Sequence, residues 1–130
     1  MDRELHSDTG AVLLAEQCGR LTVFFSPKVI GEVNDQYVKV AKIKGEEVPW
    51  HRHEHEDELF YVVKGALLME CEGRTAFMLK EGEFFVVRKQ TNHRVSSSDE
   101  CWIMLVESKS TQHTGDVIAP ITKSIADQLR

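Results

Sequence analysis

The chain has 130 residues, with 16 basic against 21 acidic side chains, a formal charge of −5, and 42% hydrophobic residues. That length is one domain's worth, large enough to bury about two-thirds of its unfolded surface without a disulfide or structural metal. The acidic balance argues against a nucleic-acid binder, which needs a basic stripe to neutralise phosphates, and no apolar run approaches the ~18 residues of a membrane span.

Residues 1–10 lack the pattern of a secretory signal. Segment 12–16 reads equally as helix or strand, and 21–26 reads as a strand ended by Pro27. From residue 36 onward the chain is a succession of short β-type runs: 36–44, 59–64, 66–72, 75–79, 83–88, 94–97 and 102–107. Gly45, Gly65, Gly73 and Gly82 punctuate them, with a hairpin tip at Glu72-Gly73-Arg74. Ser96-Ser97-Ser98-Asp99 and Ser108-Lys109-Ser110-Thr111 have turn composition. Residues 121–130 read as a short C-terminal helix. Many short strands without long helical periods between them predict an all-β antiparallel sandwich or barrel. The expected organisation is an N-terminal arm of extra strands over 1–35, a barrel over 36–110 and a tail or short helix over 111–130.

Cys18, Cys71 and Cys101 are an odd number at wide spacing, with no C-x-x-C pair. Cys71 and Cys101 lie in strand-like runs as small buried hydrophobes. Such usage predicts a reducing, cytoplasmic compartment.

The six histidines are unevenly placed. His6 and His113 lie near the ends, His51, His53 and His55 are clustered, and His93 stands alone. Residues two apart on a strand point to one side, so His51 and His53 project together at a spacing suited to chelating one ion. Glu54-His55-Glu56-Asp57 is too polar for a half-buried strand, so a turn there separates His55 from the pair and leaves it a second-choice ligand. Glu58 opens the apolar run Leu59-Phe60-Tyr61-Val62-Val63, where a bare carboxylate is costly unless paired or metal-bound. It is the natural third ligand, and His93, following the next Gly-initiated strand, returns a fourth. Neutral imidazole is the commonest transition-metal ligand.

These residues resemble a known family. Gly45-(x5)-His51-x-His53-(x4)-Glu58-(x6)-Gly65 is similar to the first cupin motif at every spacing. The second motif, G-(x5)-P-x-G-(x2)-H-(x3)-N, aligns as Gly82-(x5)-Arg88-x-Gln90-(x2)-His93-(x3)-Ser97, with Arg88, Gln90 and Ser97 at the proline, second glycine and asparagine positions. Sixteen residues separate Gly65 from Gly82, as in small microbial cupins. Residues 26–35, the Asp57-Glu58-Leu59-Phe60 step and Thr114-Gly115-Asp116 resemble a stand-alone bacterial group often labelled mannose-6-phosphate isomerase-like. The resemblance implies a double-stranded β-helix (jelly-roll) barrel and a homodimer. It also implies a divalent metal, one per chain, on His51, His53, Glu58 and His93.

Such a donor set suits Mn, Fe, Ni, Zn or Cu. Four protein ligands on a six-coordinate ion leave two positions for a small molecule, whereas tetrahedral zinc would be filled. Phe60 and Tyr61 are candidate pocket residues, although strand parity is open. Arg88 and Arg94 flank His93 and are candidate anion contacts. Glu46, Glu47, Glu54, Glu56 and Asp57 read as a solvated rim. Two functions follow as expectations. One is a small metal-dependent enzyme of isomerase, lyase or dioxygenase type, acting on a sugar or hydroxy/keto acid. The other is a non-enzymatic ligand-binding or sensing protein with a structural metal. A metal-free jelly roll with decorative histidines is a third reading.

Overall fold

A computed structural model describes residues 10–111, 114, 115, 117 and 119–129; His6, His113 and Asp116 lie outside them. Among the described residues the elements are α1 (Leu14–Gly19), β1 (Lys28–Val33), β2 (Gln36–Gly45), β3 (Glu58–Lys64), β4 (Ala66–Cys71), β5 (Phe77–Lys80), β6 (Phe84–Val87), β7 (His93–Ser108) and α2 (Ile125–Gln128). No helix among them is long and apolar enough to cross a membrane.

All strand pairings are antiparallel, and the main path runs β1-β2-β7-β3-β6. The β4–β5 hairpin forms the second layer with the first part of β7, where Cys71 opposes His93 and Leu68 opposes Ser96. The later part of β7 lies between β2 and β3, so one 16-residue strand serves both layers of the barrel. This corrects the turn expected at Ser96–Asp99. Local composition favours a turn, but Ser97 Oγ donates to Ala66 O at 3.0 Å and the flanking residues complete ladders on both sides.

The N-terminal region also differs from expectation. Segment 12–16 falls largely within α1. Segment 21–26 forms no strand and turns through Phe25, whose φ of 56° is left-handed, a conformation that costs a bulky residue about 1–2 kcal/mol. Its N–H donates to Lys42 O at 2.8 Å, and its ring is buried in the core. The strand in this region is instead β1, joined to β2 by a hairpin with Asn34 at φ 52°. At the other end the helix is only Ile125–Gln128, capped by Ser124, whose Oγ accepts from Asp127 N.

The core lies between the two layers. Ala41, Ile43, Phe60, Val62, Leu67, Met69, Ile103 and Leu105 are buried in one cluster, taken from alternate positions of β2, β3, β4 and β7. Gly65 makes the β3–β4 turn at φ 88°, and a Cβ there would press on Glu100 O at 2.8 Å. The three cysteines are free and buried. Burial pushes the Cys18 thiol up to about 11 and the Cys101 thiol up to about 12, which leaves them unreactive hydrophobes.

Candidate metal centre

The fold gathers His51, His53, Glu58 and His93 at one end of the barrel interior, with one ligand atom from each lying within 4.8 Å of all the others. Each arrives by a local rule. His51 and His93 exchange backbone hydrogen bonds, His51 N to His93 O at 3.0 Å and His93 N to His51 O at 2.9 Å, which sets their rings 4.3 Å apart. His53 enters from the same side two residues on, and its carbonyl accepts from Gln90 N at 2.7 Å. Glu58 opens β3 between Val87 of β6 and Glu107 of β7. All four side chains are at most 4% exposed.

The second cupin motif has a glycine in the turn before His93, and this chain has Gln90 there. Gln90 takes that position at φ 66°, and Asp57 ties down the same turn by accepting from Lys89 N at 2.8 Å. That bond, with the Arg88 guanidinium nearby, holds the Asp57 carboxyl below the usual range. Behind His51, Gly115 (φ 59°) lies so close that a Cβ would run into Arg52 O and touch the imidazole.

The rings present lone pairs inward. His51 Nδ1 lies 2.8 Å from Pro49 O and His93 Nδ1 lies 2.9 Å from Thr91 O. A carbonyl only accepts, so each Nδ1 carries the hydrogen and each Nε2 faces inward as the atom that would meet a metal. His51 Nε2 is buried with no hydrogen-bond partner, the kind of orphan that an ion would satisfy. Burial, with His93 beside it, lowers the His51 ring to about 4, so it stays neutral near pH 7. Glu58 Oε1 sits 3.3 Å from His93 Nε2 and 3.5 Å from His53 Nε2. Burial works to raise the Glu58 carboxyl, yet its contact with Glu107 holds it well below the ordinary range. Three imidazoles and one carboxylate fit a divalent transition metal.

Two further charged residues stand behind this set, and the sequence reading did not name them. Glu107 is 1% exposed and lies against Glu58 within hydrogen-bonding reach; Lys39 is fully buried with Nζ 2.8 Å from Glu107 Oε1. Neither contact is aligned as a well-directed hydrogen bond. Burial, followed by the Glu58 charge, pushes the Glu107 carboxyl well above its ordinary value, with Lys39 opposing. The alternation of Cys101, Ile103, Leu105 and Glu107, all buried, was the available signal.

The remaining candidates separate clearly. Phe60 shares the Glu58 face, lines the cavity and packs edge-on to His93 with centroids 6.2 Å apart. Tyr61 alternates to the other face and is not among the cavity-lining residues. His55 is exposed and stands apart from the donor group. Arg88 points into solvent beside Asp57, at 3.4 Å, and Arg94 pairs with Glu70 and lies over the Trp50 ring. Neither arginine reaches the cavity, because each has an acid on the outer surface. Trp50 is 39% exposed and serves as that outer platform.

The cavity itself is about 40 Å³, floored by His51, Glu58 and Glu107 and walled by apolar side chains such as Ile43, Val95 and Leu105. Phe25, Pro27 and Ile121 close it from segments outside the barrel strands, a role that the expected strand at 21–26 had hidden. Among the described residues no lysine or arginine lines it.

The Cupin domain family model matches residues 40–106, from β2 through most of β7. The chain belongs to the cupin family. YdbB of Bacillus subtilis (strain 168), an uncharacterized protein, is 36% identical to this cupin over 83 residues, which is 64% of this chain and 73% of YdbB. The crystal structure of a cupin-2 domain containing protein from Shewanella frigidimarina superposes with a TM-score of 0.72 at 32% identity, covering 77% of this chain and 96% of that one. Protein NMB1881 from Neisseria meningitidis, at 23% identity, shares the fold with a TM-score of 0.68 over 75% of this chain and 98% of its own.

Proposed function

We propose that this cupin holds one divalent transition metal on His51, His53, Glu58 and His93, and acts through it as an enzyme on a small oxygen-bearing molecule. The observation that carries the reading is the convergence of four buried donors around a point where His51 Nε2 lacks a partner. When bound, the metal supplies Lewis-acid polarisation of a carbonyl or enolate oxygen, or oxygen activation in the case of iron. The chain's own residues bind and orient the reactant. Pro49 O and Thr91 O fix the ring tautomers of His51 and His93, and Phe25, Phe60 and Leu105 exclude water from the ligand's body.

Cavity chemistry narrows the substrate. The small volume and apolar wall leave no room for a phosphate-bearing sugar and favour a compact hydroxy or keto acid whose carboxylate meets the metal and whose body is apolar. The reaction is then an isomerase, lyase or dioxygenase type. A binding or sensing role with the metal as anchor is the second reading, supported by the small cavity, which at about 40 Å³ has room for only about three water molecules. Free buried thiols support a reducing, cytoplasmic setting. The homodimer is supported by β1, an edge strand with Val33 60% exposed, and sedimentation at micromolar concentration tests it.

The test of function uses protein loaded with cobalt(II), whose visible spectrum reports inner-sphere ligands. Short-chain 2-hydroxy and 2-keto acids should perturb it, and mannose 6-phosphate should not. Preference for the sugar phosphate would contradict the substrate reading, and tight acid binding without turnover would favour the sensor.

A further inference from the structure

Lys39, Glu107 and Glu58 form a contiguous buried path into the donor set. Glu58 and Glu107 are direct cross-strand partners on β3 and β7, which places their side chains on one face about 5 Å apart at Cβ. Two acids so placed repel unless a proton or a cation joins them. Lys39, inward on β2 with Ala41 and Ile43, supplies the cation at 2.8 Å from Glu107. Glu58 in turn presents Oε1 to both His53 and His93.

Stability does not account for this arrangement. Replacing a buried ion pair with apolar residues of similar volume is often neutral or stabilising, so burial of Lys39 and Glu107 in the core is no sign of a stabilising role. Their position does account for it. A ligating carboxylate must be held in one orientation for the metal to meet it together with the rings, and outer partners that do this commonly govern metal affinity. Glu107 is the group beside Glu58 on the neighbouring strand, and Lys39 fixes Glu107.

We propose that Glu107, anchored by Lys39, is a positioning residue that holds the Glu58 carboxylate toward His53 and His93 and so sets the affinity of the metal centre. This rests on the metal-binding reading above and deepens it; it requires no knowledge of the substrate.

The test compares two double variants in zinc and cobalt(II) titrations, with thermal melting to show that each is folded. Lys39→Met with Glu107→Leu removes both charges and the contact to Glu58. Lys39→Met with Glu107→Gln removes the charges but keeps a polar side chain of nearly the same size beside Glu58. The first should remain as stable as the parent while metal affinity falls about 10–100-fold and the cobalt spectrum shifts. The second should keep affinity and spectrum near those of the parent. If the leucine variant does not fold, Glu107→Asp takes its place, since it withdraws the acid from Glu58 while keeping the charge, and the same loss is expected. Equal affinity in all variants and the parent, or equal loss in the glutamine and leucine variants, would overturn the positioning role alone. A parent protein that takes up no metal would overturn the metal reading and this role with it.

Discussion

Arg52 and Glu54 form an ion pair at 2.7 Å on the rim of the barrel, and Lys39 and Glu107 form one at 2.8 Å inside it. The distances are nearly equal, but the rim side chains are 48% and 41% exposed whereas the inner ones are 0% and 1% exposed. Water screens the first pair and is absent from the second, so the two differ in what each loses when broken and not in how close they stand. The inner pair backs the donor set, while the rim pair lies outside it. Charge in this cupin therefore has two uses, one in the exposed segment before β3 and one inside the barrel.

Breaking the inner pair on one side should have the largest effect on stability. Lys39→Met alone leaves Glu107 buried beside Glu58 without its cation, and urea denaturation should show a loss of about 3–5 kcal/mol. Acid should act next, through His51. Its ring falls from 6.5 to about 4 in the folded chain, so between those values the unfolded chain binds more protons than the folded one. The stability this ring contributes is complete above pH 6.5 and is lost as the pH falls to 4, about 3 kcal/mol in metal-free protein measured by denaturation across that window. Gln90→Gly should sharpen the contrast in the other direction. Relief of the left-handed backbone at φ 66° should raise stability by about 1 kcal/mol without moving metal affinity. Arg52→Ala should change stability least, by about 0–1 kcal/mol, as an exposed pair does. A rim variant as costly as Lys39→Met would break the comparison.

Much of the donor set was legible because its rules are local. Alternation puts His51 and His53 on one side, the polar turn releases His55, and the motif spacing marks Glu58 and His93. The strands of the middle region were legible for the same reason, since glycine turns bound them. What escaped depends on partners distant in sequence. Ser96-Ser97-Ser98-Asp99 has the composition of a turn, yet it lies within a strand whose neighbours are β4 before it and β2 after it. Lys39 and Glu107 look like solvent-facing residues until β2, β3 and β7 are set side by side. Phe25 could not be read as a cavity wall, because a left-handed aromatic residue has no mark in a single sequence. Arg88 and Arg94 were drawn outward by Asp57 and Glu70, acids far from them along the chain.

His51, His53, Glu58 and His93 are proposed to hold one metal ion. Elemental analysis of untagged protein beside its His53→Ala variant, each purified without added metal and then exposed to stoichiometric divalent salts, tests it most directly. The parent should retain about one transition-metal ion per chain and the variant more than about tenfold less, because removing one donor leaves the others without a complete set. Equal metal content in the two proteins, or none in either after loading, would contradict it.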